Sequence, residues 1–267
     1  DRELHKMHDS KYYVHLSIRF SFAWQQLPPF HNHTQVYTKK PLFKRLILCY
    51  GYHMIIQMKG IIYMDSIIFD VDGTLWDSAD SVAAAWNLAI KKFSSLDITL
   101  DREILGSVFG KTMTDIGDIL FPSLSETEKD SLLSACCELE NNYLKNHPGI
   151  IYEGVADTIE KLSKKYPLFI VSNCQCGYIE ATMQAIGIEH FIKDHLCFGE
   201  TGVSKGQTLR MLIDRNHLSS PVYVGDTQGD ADACHAAGIP FIFAEYGFGN
   251  VPDAKMTIHK FSDLLNL

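Results

Sequence analysis

Apolar and polar positions change period several times along this chain, and the changes predict its elements. Ile67-Ile68-Phe69 is a short, β-branched apolar run that stops at Asp70-Val71-Asp72-Gly73, the pattern of a buried strand with turn chemistry directly behind it. Ala79 to Phe93 follows a helical period, with Val82, Trp86, Ala89, Ile90 and Phe93 on one face and Asp77 or Ser78 available as a cap. A second helical region runs through Ile116, Ile119 and Leu120 to Phe121-Pro122. Ser125-Glu126-Thr127-Glu128 is a capping box that opens a third helix; its stripe is Leu132, Leu133, Cys136, Leu139, Tyr143 and Leu144, and Pro148-Gly149 stops it.

From Gly154 onward helices and strands alternate. Helix Val155 to Lys165 leads to strand Leu168 to Ser172, then to helix Tyr178 to Ile186, closed by Gly187. Strand Leu196-Cys197-Phe198 precedes a helix from Ser204 to near Asn216, and strand Val222 to Gly225 precedes a short helix ending at Gly238 and a strand from Pro240 to Ala244. Such alternation predicts an α/β protein with a doubly wound parallel sheet, whose ligand site lies at the carboxyl ends of the strands. Residues 58–78 and 150–267 are expected to form that core, and 79–149 an inserted all-α cap.

Composition adds one boundary. The net charge of -8 and pI near 5.8 argue against a nucleic-acid partner bound through bulk charge. Residues 1–57 nevertheless hold eight Lys/Arg and three acids, a balance of +5, which leaves 16 bases and 29 acids, a balance of -13, for residues 58–267. The first 57 residues carry Pro28-Pro29 and show no sustained period, so they are expected to be an extension of doubtful structure, with the working protein beginning near Met58 or Met64. Within them, Lys39 to Arg45 followed by Leu46 to Ile56 looks like a leader peptide. It is too short for a membrane span and lacks a small-residue cleavage pattern. His31-x-His33 has metal-ligand spacing but no third partner.

The seven cysteines are odd in number and include no C-x-x-C pair, which favours reduced thiols in a cytoplasmic protein. Cys174-Gln175-Cys176 can bind a soft metal, yet reads better as loop composition beside a different site.

The candidate chemistry sits where strands end. In an extended segment residues two apart share a face, so Asp70 and Asp72 are expected to present their carboxylates together, with Gly73 turning the backbone away. Like charges that close require a cation or a shared proton. Read alone, the pattern also fits a solvated turn. Ser172-Asn173 closes another strand with a hydroxyl and backbone N–H groups suited to phosphate oxygens. Gly225-Asp226-Thr227-Gln228-Gly229-Asp230 closes a third; its acids serve equally as caps of the helix that follows.

Taken together, Asp70-Val71-Asp72-Gly73-Thr74-Leu75-Trp76-Asp77-Ser78, the strand closing in Ser172, Lys205 near a helix start and the Gly225-Asp226…Asp230 string resemble the four motifs of the haloacid dehalogenase-like phosphohydrolases. The resemblance covers Met64 to the end, with Gly206 standing where that family often has proline. It implies a Rossmann-like core and a Mg²⁺-dependent phosphatase acting on a small phosphorylated metabolite. Asp70 is then the nucleophile and Asp72 the acid and base. Ser172, Asn173, Lys205 and Thr74 surround the phosphate. Asp70, the Asp72 carbonyl, Asp226 and Asp230 hold Mg²⁺, a cation suited to carboxylates, water and phosphate. Lys111, in the cap, would reach a substrate carboxylate or hydroxyl. The resemblance implies no nucleic-acid or membrane partner, and a monomer or homodimer. Two other readings stand beside it. One is a β-phosphoglucomutase-like transferase, disfavoured because Val82 occupies the place of that group's cap histidine. The other is a catalytically silent member that binds through residues 1–57, which would predict damaged motif acids.

Overall fold

A computed structural model describes residues 64–267. The segment 1–57, with His31, His33 and the basic-then-apolar stretch, lies outside the described residues. In chain order the elements are β1 (Ser66–Phe69), β2 (Trp76–Asp77), α1 (Ala79–Phe93), α2 (Arg102–Val108), α3 (Met113–Leu120), α4 (Glu126–Leu144), β3 (Ile150–Ile151) and α5 (Val155–Ser163). There follow β4 (Leu168–Ser172), α6 (Tyr178–Ile186), β5 (Ile192–Cys197), α7 (Phe198–Thr201), α8 (Lys205–Arg215), β6 (Pro221–Gly225), α9 (Gln228–Ala237), β7 (Phe241–Ala244) and β8 (Thr257–Ile258).

Six strands form one parallel sheet in the order β5-β4-β1-β6-β7-β8. The chain leaves β1 to build outward through β4 and β5, then returns to the other side of β1 to build through β6, β7 and β8. The strand order therefore reverses at β1, and the crevice at the carboxyl ends of β4, β1 and β6 is where a doubly wound sheet receives its ligand. The period of two along the strands divides the core. Ile67, Phe69, Leu168, Ile170, Val222 and Val224 face a layer that includes α5 and α6, whereas Ile68, Phe169, Val171 and Tyr223 face α8 and α9. Burial on both faces explains why these strands read as unbroken apolar runs.

The four helices α1 to α4 bury a separate apolar cluster, with Val82, Trp86, Ile90, Leu105, Ile116, Phe121, Leu132 and Cys136 at its centre. The capping box at Ser125 and Glu128 is present. On α1 the side chain of Asp77 accepts from the Ala79 N–H at 3.2 Å, while Ser78 stands at the N-cap. Where the chain leaves and re-enters the core, β2 and β3 pair antiparallel, Trp76 with Ile151 and Asp77 with Ile150.

The sequence expectations depart from the structure in several places. Phe93, expected on the apolar face of its helix, and Ile119, expected within the second helical region, are about half exposed, at 53% and 50%, each in the last turn of its helix. Helix α2 went unread; its signal is Asp101, whose carboxylate accepts from the Ile104 N–H at 2.9 Å. Strand β5 begins at Ile192 rather than Leu196. It is an edge strand, so Lys193, Asp194 and His195 break the apolar run. Phe198 opens α7 instead of closing β5. Among the described residues no helix is long and apolar enough to cross a membrane.

Candidate active site

The strand ends deliver acids to one place. Strand β1 stops at Phe69, and the Asp70 N–H donates to the Val224 carbonyl of β6 at 2.8 Å, which locks Asp70 beside the end of its neighbour. Asp226 follows β6 directly, and Asp230 lies in the first turn of α9. Ligand atoms of Asp70, Asp226 and Asp230 all come within 4.8 Å of one another, and all three residues are buried. Among the described residues no other set of three or more Asp, Glu, His or Cys side chains approaches so closely, and Cys174 and Cys176 belong to none. Gly73 is required here. Its φ is +78°, and a Cβ would stand 2.1 Å from Asp226 Oδ2.

Lys205, at the start of α8, answers this negative charge. Its Nζ donates to Asp230 Oδ1 at 2.6 Å and to Asp70 Oδ1 at 3.1 Å, in a position only 5% exposed. Burial works against the ammonium, but Asp230 and Asp70 outweigh it and hold its pKa above the ordinary lysine value. Burial pushes Asp70 up to about 7, opposed by Lys205 and assisted by Asp230. Asp226 is also pushed up, by burial and then by Asp230 and Asp70, although the Phe248 N–H donates to its Oδ2 at 2.7 Å. Three buried carboxylates thus face one buried ammonium. Asp226 Oδ1 is buried and meets no hydrogen-bond donor among the described residues. A buried carboxylate oxygen left without a donor is costly in an isolated fold and natural beside a cation. The donor set is all oxygen, so it suits a hard divalent ion such as Mg²⁺.

Asp72 departs from the expectation. Because β1 has already ended, the two-residue strand period does not govern it, and its carboxylate lies outside the three-acid cluster. Its Oδ1 accepts from Ser78 Oγ at 2.6 Å, Tyr178 OH at 2.6 Å and Trp76 Nε1 at 3.1 Å. Burial raises its pKa, and those three donors oppose the rise. No donor reaches Oδ2 among the described residues, which leaves that oxygen for a proton. Tyr178 was read from the sequence only as a helix start, although it fixes this carboxylate.

Asp70, Asp72, Ser172, Asn173 and Lys111 line one pocket between the sheet edge and the helices. Lys205, Asp226 and Asp230 adjoin Asp70 without being part of its wall. Asn173 spends its side-chain N–H on the Gly110 carbonyl, at 2.8 Å, and so ties the β4 loop to the helical layer. Phe109 and Phe248 pack edge-to-face at 5.3 Å across the same seam. Thr74 is wholly buried, its hydroxyl has no partner among the described residues, and it lies outside the pocket wall. Both oxygens of Asp230 are engaged, Oδ1 by Lys205 and Oδ2 by the Thr227 N–H and hydroxyl at 3.0 and 2.7 Å.

Known proteins resemble this arrangement. The family model for haloacid dehalogenase-like hydrolases matches residues 67–244. A phosphoglycolate phosphatase of Mesorhizobium japonicum is 30% identical over 194 residues, 68% of this chain and 83% of that protein. One from Aliivibrio fischeri is 25% identical over 197 residues, 69% of this chain and 85% of its own. A solved haloacid dehalogenase-like hydrolase from Streptococcus pneumoniae superposes with a TM-score of 0.66 at 19% identity, covering 76% of this chain and 97% of that one, a likeness that speaks to the fold.

Proposed function

The chain belongs to the haloacid dehalogenase-like hydrolases, and on that premise we propose that it is a Mg²⁺-dependent phosphatase that hydrolyses a small phosphate monoester through an aspartyl-phosphate. The observation that carries the metal-dependent reading is that Asp226 Oδ1 is buried without a donor among the described residues, in a carboxylate whose ligand atom lies within 4.8 Å of those of Asp70 and Asp230. Asp70, the Asp72 carbonyl and Asp226 would hold Mg²⁺, with Asp230, whose oxygens are already engaged, reaching it through water. When bound, the ion balances the charge of the carboxylates and of the phosphate oxygens.

Asp70 attacks phosphorus, and the P–O bond to the alcohol breaks as Asp72 gives its proton to the leaving oxygen. Asp72 then takes a proton from water, the water oxygen attacks the phosphorus, and inorganic phosphate leaves with Asp70 restored. Lys205 opposes the burial that raises the Asp70 pKa, and so favours the ionised form that attacks. Ser172 and Lys205 hold the phosphoryl oxygens, while Asn173 and Thr74 shape the loops around them. Helices α1 to α4 act as a cap that excludes water, and Lys111 reaches toward the substrate from its loop. Hydrolysis of p-nitrophenyl phosphate with Mg²⁺, lost in EDTA and restored by added Mg²⁺, is the expected result. Folded protein without metal-dependent turnover would overturn the reading.

A further inference from the structure

The helical end of the pocket contains a charge that the proposed reaction does not use. Glu140, on α4, is 4% exposed and lines the same pocket as Asp70 and Asp72. Trp86 Nε1 donates to its Oε2, and Gln175 Nε2 donates to its Oε1 at 3.1 Å. Each oxygen therefore keeps a lone pair for one more donor. The surrounding wall includes Val82, Met113 and Ile116, and no cation forms an ion pair with Glu140 among the described residues. Burial pushes it up to about 7, against the two donors, which pull it down. A carboxyl group in such surroundings costs stability, and an apolar residue would pack there without that cost.

We propose that Glu140 selects the leaving group: it accepts a hydrogen bond from a hydroxyl or ammonium on the alcohol part of the phosphate monoester, and it repels a carboxylate at that position. The inference rests on the phosphatase reading above. A hydroxyl or ammonium completes the coordination of a buried acceptor, whereas a substrate carboxylate would be desolvated against a group of like charge. Lys111 lines the same pocket but is exposed, so solvent screens its attraction for an anion far more than burial permits for Glu140. The pocket thus differs in its preference from what the names of the phosphoglycolate phosphatase relatives would suggest.

Three two-carbon substrates with different ends test this: 2-hydroxyethyl phosphate, phosphoethanolamine and 2-phosphoglycolate, ranked by kcat/KM with Mg²⁺. The wild-type protein is expected to prefer the hydroxyl and ammonium compounds over 2-phosphoglycolate by about tenfold or more. Glu140→Gln, checked for folding by its thermal transition, is expected to narrow that ratio by about tenfold, mainly through KM. A purely structural role would lower all three rates together and leave the ratio alone, which would overturn the inference. The wild-type ranking needs no variant, and a preference for 2-phosphoglycolate overturns the inference by itself. Absence of p-nitrophenyl phosphate turnover instead overturns the phosphatase reading on which it rests.

Discussion

The two ends of the pocket bury acids in opposite ways. At the sheet end, Asp70 and Asp230 pair with the ammonium of Lys205, with Asp226 close to both acids, and opposite charge works against their burial. At the helical end, Glu140 meets only the neutral donors of Trp86 and Gln175. Both environments push a carboxyl up to about 7, Asp70 in one and Glu140 in the other, but through different balances. Burial at the sheet end is opposed by a full charge, which makes the acids dependent on one lysine and on whatever cation joins it. Burial at the helical end is opposed by hydrogen bonds alone, so the charge there is held only by neutral donors.

The sharpest way to break the comparison is at the proposed nucleophile. Asp70→Asn preserves shape and removes the carboxylate proposed to attack, so turnover of p-nitrophenyl phosphate should fall by at least about a thousandfold while the thermal transition stays intact. Next comes the lysine. Lys205→Met leaves three buried carboxylates without their ammonium, and chemical denaturation in EDTA should show a loss of about 3–5 kcal/mol. If that variant is as stable as the parent, the acids are not compensated by Lys205.

The smallest effect concerns Glu140. Its pKa is raised in the fold from 4.5 to about 7, so the native protein binds this proton more tightly than the unfolded chain does. The stability that this proton confers is whole below about pH 4.5 and is lost as pH rises through 7. Glu140→Gln carries no such proton, so its stability relative to wild type should rise with pH, by at most about 3 kcal/mol between pH 4 and pH 8. Urea denaturation at the two pH values measures the difference, and a gap that does not change with pH would show that Glu140 is not buried as a titrating acid.

The unequal legibility of the two ends has a physical origin. At the sheet end Asp70, Ser172 and Asp226 sit where an apolar run meets turn chemistry, so they mark themselves by breaking a strand pattern. Lys205 has a weaker mark, a helix start, and looked alone like any surface lysine. Glu140 has none. It follows Leu139 in an amphipathic helix rich in acids, and nothing in its neighbours separates it from Glu138, which is exposed. Trp86 reads as part of a helix's apolar face and Tyr178 as a helix start, and their polar atoms acquire a task only from Glu140 and Asp72, which lie 54 and 106 residues away in sequence. The β2–β3 pair escaped because two residues are too few to show a period, and its partners meet only after the helical layer closes.

The sequence by itself determined the alternation of elements, the parallel sheet, the intervening helices and the acids at the strand ends, since period and turn chemistry are local properties of the chain. Only the tertiary structure decided that the Asp72 carboxylate turns to Ser78 and Tyr178 rather than to Asp70. It alone decided that Lys205 sits between Asp70 and Asp230, and that Glu140 faces the pocket. Those outcomes depend on which distant donor or charge is near enough to offset the cost of burying a polar atom, and that distance is set by packing.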